Sequence, residues 1–199
     1  MKHALKTAVI GTLLGCSLAN PAFAASKSSL SKAGLFSYNY AQISVVDLDY
    51  GYDGIKLDGS FDLNREMALI ASYMTTDDDG HFDYDEFTLG AAYHTRLQSI
   101  PKSDLVLHGE FARASYDHRH FSTVHSHDDN GLRLGATLRY QAQSNIELFG
   151  DLSYESLFDN DMALTGGVNL SINPKFSVVG AIEMSDDDML LLGLRMRLD

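Results

Sequence analysis

Four of the chain's eight histidines fall within ten residues, in the stretch Asp117-His118-Arg119-His120-Phe121-Ser122-Thr123-Val124-His125-Ser126-His127-Asp128-Asp129. Imidazole nitrogens bind zinc, copper and nickel, and carboxylates complete such ligand sets, so these residue types point to metal chemistry. That chemistry needs a hairpin. With strands continuing to a turn at Ser122-Thr123, His120 faces His125 and His118 faces His127. All four then share one face, with Asp117, Asp128 or Asp129 as further ligands. The same register pairs Phe111 with Leu134 and Leu107 with Leu138. The plainer alternative is a solvated loop of turn-forming polar residues, since Ser122-Thr123 lacks the Gly or Asn of tight hairpins. The candidate metal ligands (zinc, copper or nickel) are therefore His118, His120, His125 and His127, and no other cofactor is expected. Imidazoles also titrate near pH 6.5, so the cluster doubles as a candidate pH sensor.

Elsewhere chemistry is sparse. Asp77-Asp78-Asp79-Gly80 and Asp186-Asp187-Asp188 lack the spaced ligands and closing Glu of an EF-hand, so they read as hydrated, mutually repelling charge. No G-x-S-x-G elbow occurs and no spacing defines a triad, so no catalytic residue is assigned and the chain is not expected to be an enzyme. His94 and His108 fall beside Glu86 and Glu110 on one strand face, where satisfied structural histidines are the expectation.

Residues 1–24 read as a secretory signal peptide. Lys2 and Lys6 precede an apolar stretch from Thr7 to Ala19, and Ala22-Phe23-Ala24 supplies a small-x-small cleavage site. A competing lipoprotein reading uses Leu13-Leu14-Gly15-Cys16. Cleavage after Ala24 leaves residues 25–199 as a single barrel domain without cysteine, which excludes thiol catalysis, disulfides and Cys-based zinc sites. The remaining 13 basic and 27 acidic residues make a nucleic-acid partner improbable.

The elements that position these residues are strands. From Leu35 onward, runs of roughly ten residues alternate apolar and polar, which gives an extended strand two unlike faces. Ten such runs are expected: Phe36 to Val46, Ile55 to Leu63, Met67 to Met74, Phe87 to Arg96, Leu105 to Ser115, Leu132 to Tyr140, Ile146 to Glu155, Leu164 to Ile172, Phe176 to Met184 and Leu190 to Leu198. In the first, Tyr38-Tyr40 and Ala41-Ile43-Val45 favour opposite faces, which suggests a bulge. Connections alternate between nearly uncharged turns and strongly acidic ones. In an up-and-down sheet the acidic ones, including Asp117 through Asp129, collect at one end. The fold class is all-β, an up-and-down antiparallel transmembrane β-barrel of ten strands, with eight as the alternative.

One face of the runs is apolar and uncharged. The other carries Lys56, Asp58, Asp62, Glu86, His94, Arg96, His108, Glu110, Arg133, Arg139, Glu147, Asp151, Glu155, Glu183, Arg195 and Arg197. A membrane barrel places this polar face inside; a soluble binding barrel exchanges the faces with the same alternation. With no Trp, an aromatic girdle must use residues such as Tyr73, Tyr93, Tyr140 and Tyr154.

The leader, followed by Phe36-Ser37-Tyr38-Asn39-Tyr40, Asp53-Gly54-Ile55-Lys56-Leu57-Asp58-Gly59-Ser60 and Leu89-Gly90-Ala91-Ala92-Tyr93-His94, resembles the small porin-like outer-membrane barrels of OmpA, OmpX and OmpW type, including those regulated by diffusible signal factor. The resemblance is one of pattern over nearly the whole mature chain. It implies a Gram-negative outer-membrane location. Expected partners are outer-membrane lipid and lipopolysaccharide, the barrel-assembly machinery and periplasmic chaperones. The expected role is structural or surface-interacting, with acidic His-bearing loops outside and a polar packed lumen of nearly balanced charge. A narrow porin-like channel and a soluble secreted or periplasmic binding barrel are the alternatives.

Overall fold

The computed structural model describes residues 35–48, 52–78, 82–120, 123–158 and 160–198. The expected signal peptide lies outside them. Ten strands follow in order: β1 Tyr40–Leu48, β2 Asp53–Asp62, β3 Met67–Asp78, β4 Phe82–Arg96, β5 Ser103–His120, β6 Thr123–Gln143, β7 Ile146–Glu155, β8 Asp161–Ser171, β9 Phe176–Met184 and β10 Met189–Arg197. Each pairs antiparallel with its sequence neighbour, and β1 pairs with β10, closing the barrel. Closure leaves no sheet edge, so the ladder is satisfied without water.

The turns at the chain-terminal end follow from their residues. Asn64 Oδ1 accepts the N–H groups of Glu66 and Met67 at 2.9 and 3.0 Å, and Asn173 Oδ1 accepts those of Lys175 and Phe176 at 2.8 and 2.9 Å. Both are Asx turns, in which the side chain replaces a backbone acceptor. The bulge suggested in the first strand is not formed. β1 is regular against both neighbours, and Tyr38 simply precedes it. The register irregularity falls instead at Gln141/Gln143, between β6 and β7.

The two faces sort as a membrane barrel requires. Ile43, Ile55, Leu89, Phe111, Leu134 and Leu152 are exposed on the outside, whereas Glu86, His94, Arg139 and Glu147 are buried. A continuous uncharged apolar exterior is unstable against water and matched to lipid. Tyr93 and Tyr140 lie outside near the short-turn end and Tyr73 and Tyr154 nearer the other, as a girdle at each boundary would.

β5 and β6 run 18 and 21 residues, whereas about 9–11 suffice to cross a bilayer. The acidic, histidine-bearing stretch is therefore mostly strand rather than loop, a hairpin standing beyond the barrel wall. Its register also differs from the expected one by two: Phe111 pairs with Leu132, Leu107 with Ala136 and His118 with His125. A two-residue shift keeps every side chain on its face, so hydrophobic alternation cannot detect it.

Candidate functional site: an acid-lined lumen

The interior side chains come from alternate positions of all ten strands. Around Arg133 the chain stacks carboxylates: its guanidinium holds Glu86 at 2.7 Å and also binds Glu155. Glu86 accepts a further bond from the Tyr84 hydroxyl at 2.8 Å. One layer away His108 bridges Glu110 at 3.0 Å and Asp151 at 2.9 Å, with Thr88 donating to Glu110 and Thr137 to Asp151. Gly135 makes room for this bridge, because a Cβ there would stand 2.4 Å from the His108 ring. Nearer the short-turn end Arg139 pairs with Glu147 at 2.5 Å, and Asn169 donates to the same carboxylate at 3.1 Å. The expected interleaved ion pairs are thus present. Charges that would be costly alone are held by partners with several hydrogen bonds each.

The pairs do not fill the interior. A cavity of about 780 Å³ runs through the barrel, from Asp186 and Asp187 at the acidic end to Tyr40 and Arg195 near the other. The packed lumen expected from sequence is therefore only partly packed. Among the described residues ten Asp and Glu side chains but four Lys and Arg line this space, because Asp161, Asp186 and Asp187 reach it while Arg96 and Arg197 do not. The near balance of charge expected from strand parity thus gives way to a net acidic lumen.

A strap lies across the short-turn end. Residues 35–39 precede β1 and turn into the barrel mouth, where Asp104, fully buried, accepts the N–H of Leu35 at 2.5 Å and the Tyr38 hydroxyl at 3.3 Å. The Arg139 guanidinium lies 4.4 Å from the Phe36 ring centre and 4.7 Å from that of Tyr38, within cation–π range. Tyr38 also stacks on the His94 ring at 3.7 Å, and His94 faces Asp62 at 3.5 Å. A second cavity of about 170 Å³ lies beyond, and the two share Tyr40, Arg139, Glu147 and Arg195. That layer is the waist of the lumen.

At the opposite mouth, the β7–β8 connection folds inward. Leu157 is buried against Ala112 and Ala114, and the N–H of Phe158 donates to Asp129 at 2.5 Å. Phe158, at φ 51°, holds a conformation unusual for an aromatic residue, and its ring packs 5.4 Å from Tyr116 and 5.9 Å from His127.

A KdgM porin matches this architecture with a TM-score of 0.50, at 8% identity, covering 80% of this chain and 99% of its own. The chain shares the closed β-barrel fold of that porin. Neisserial surface protein A gives a TM-score of 0.47 at 12% identity over 81% of this chain and 98% of its own. The attachment invasion locus protein Ail of Yersinia pestis, solved with the heparin analogue sucrose octasulfate, gives 0.44 at 14% identity over 80% and 95%. No protein-family model matches the sequence, and no curated protein matches it.

Of the sequence-predicted metal ligands, the backbone brings His118 directly opposite His125, sets His120 opposite Thr123, and sets His127 opposite Tyr116. The pairs His120–His125 and His118–His127 are not formed, because the register is offset by two. The side chains of His118, His120 and His125 lie outside the described residues; His127 is exposed and packs with aromatic rings. Among the described residues no group of three His, Cys, Asp or Glu is placed to hold a metal. His108 adjoins Glu110 as expected, whereas Glu86 belongs to Arg133 and His94 to Tyr38. Sequence reading missed Asp104, although it shares parity with Val106 and His108. It also missed the apolar inward residues of β9 and β10, signalled by runs such as Leu190-Leu191-Leu192 that are apolar on both faces.

Proposed function

We propose that the protein is an integral outer-membrane barrel that gives small solutes, cations above all, a narrow path through its lumen. The observation that carries this reading is the cavity of about 780 Å³ lined, among the described residues, by ten acidic and four basic side chains. Low-dielectric walls of one sign focus the field and raise the local concentration of counter-ions. The uncharged apolar exterior supports the membrane location, and the acidic mouth faces outward if the short turns are periplasmic. At the waist Arg139 is neutralised by Glu147, leaving Arg195 over the Tyr40 ring at 4.0 Å as a resistance to cations. The strap restricts passage further. In single-channel recordings in planar bilayers, stepwise currents are expected, and Asp104→Asn, which loosens the strap, should increase their amplitude. Purified barrel that gives no current with either chain refutes the reading.

The long β5–β6 hairpin favours a second role, surface interaction, with His118, His120, His125 and His127 as its metal-binding candidates. Cα pairing of His118 with His125 supports a shared face for these residues. Calorimetric titration of zinc into the folded protein should show binding that His118→Ala with His125→Ala abolishes; indistinguishable binding in the two proteins removes the site.

A further inference from the structure

The lumen has two unlike walls. One is built from the carboxylate, guanidinium and hydroxyl layers described above. The other is apolar: Val46 on β1, Met74 on β3, Val179 and Ala181 on β9, and Met189 and Leu191 on β10 pack together, with Phe149 and Tyr84 against them. Apolar side chains on the inner face make no contribution to holding the barrel in lipid. In a cavity whose size is that of small-molecule sites, they supply a surface for the apolar body of a ligand.

Glu183 stands at the seam of the two walls. It pairs across the ladder with Met189 on one side and Thr165 on the other, and its Oε2 accepts the Thr165 hydroxyl at 3.0 Å. Among the described residues no Lys or Arg forms an ion pair with it, unlike Glu86, Glu147 and Glu155. Glu183 has the Lys56 ammonium within electrostatic reach but no salt bridge. An acidic group so placed beside methionine, in a cavity also lined by leucine and aromatic rings, has the complementarity of an alkyl or aryl ammonium. The carboxylate matches the charge, the Tyr84 and Phe149 rings line the same cavity, and the Met–Leu wall covers the hydrocarbon.

We infer that the lumen binds organic cations that carry an apolar body, with the ammonium group at Glu183 and the body against Met74, Met189 and Leu191. This rests on the reading that solutes enter the lumen from its acidic end. It extends that reading from cations in general to one chemical class.

The test is calorimetric titration of the full-length barrel in lipid nanodiscs with benzyltrimethylammonium, beside tetramethylammonium (charge without the aryl body) and benzenesulfonate (body with opposite charge). Saturable binding of the first is expected, with the other two weaker by about tenfold or more, the size of one lost charged or apolar contact. Glu183→Gln and Leu191→Asn should each weaken it by about tenfold. Heat-modifiable mobility checks that both variants are folded, and Val179→Thr, which keeps shape and adds a hydroxyl, replaces Leu191→Asn if that chain does not fold. Equal binding of tetramethylammonium, or unchanged binding in the Glu183 and apolar-wall variants, overturns the inference. The same preparation in planar bilayers separates the two readings. Cation current without benzyltrimethylammonium binding or block overturns only the organic-cation site. Saturable, variant-sensitive binding without current upholds the site and overturns the channel.

Discussion

Arg133 shows how single residues hold this interior. It is the cation shared by Glu86 and Glu155, so its removal leaves two carboxylates facing each other in a confined space. Breaking a buried pair by deleting one partner typically costs about 3–5 kcal/mol, and access of water to the lumen favours the lower figure. Arg133→Met should therefore destabilise the barrel by about 3 kcal/mol in urea unfolding from lipid vesicles, and adding Glu86→Gln should restore part of it. A cost that the second change fails to reduce would mean that the arginine acts through packing rather than charge. Arg133, Glu86 and Glu155 were all legible as inward residues from strand parity. Their mutual contact was not: Glu155 faces Arg133 across the β6–β7 ladder, in a register that period-two patterns do not fix, and Glu86 reaches it from β4, beyond β5.

Strand identity was the most readable level. β7 and β9 have the bounds the alternation predicts, since short turns and unbroken apolar faces leave one solution. β5 and β6 outran their expected ends because polar residues on both faces are silent about where a strand stops; backbone pairing continues beyond the bilayer as readily as within it. The lipid face can be tested at this scale. Leu89 lies outside on β4, between the level of Tyr93 and that of Phe87, which pairs with Tyr73. Leu89→Arg should cost about 2–4 kcal/mol in vesicle-embedded unfolding, whereas Tyr93→Arg at the boundary should cost about 0–1 kcal/mol. Equal costs at the two depths would contradict a spanning orientation.

For the whole molecule, the ten-strand closure and the polar-in, apolar-out arrangement follow from alternation together with the alternating chemistry of the turns. The strap, the apolar inner wall and the register of the long hairpin do not. Each depends on contacts between segments far apart in sequence, as when Asp104 meets Leu35 and Tyr38, or Leu157 meets Ala112. On the proposed reading these features make an asymmetric passage, with an acidic vestibule, an arginine waist and a strap below it. The field of the vestibule predicts selectivity that salt weakens, because screening at about 1 M reaches within about 3 Å of a charge. The most direct test is the reversal potential of single channels in a tenfold KCl gradient at low ionic strength. A potential displaced toward that of potassium, and shifted further by Arg195→Ala, is the predicted result. A potential at zero or toward that of chloride would contradict the acid-lined passage.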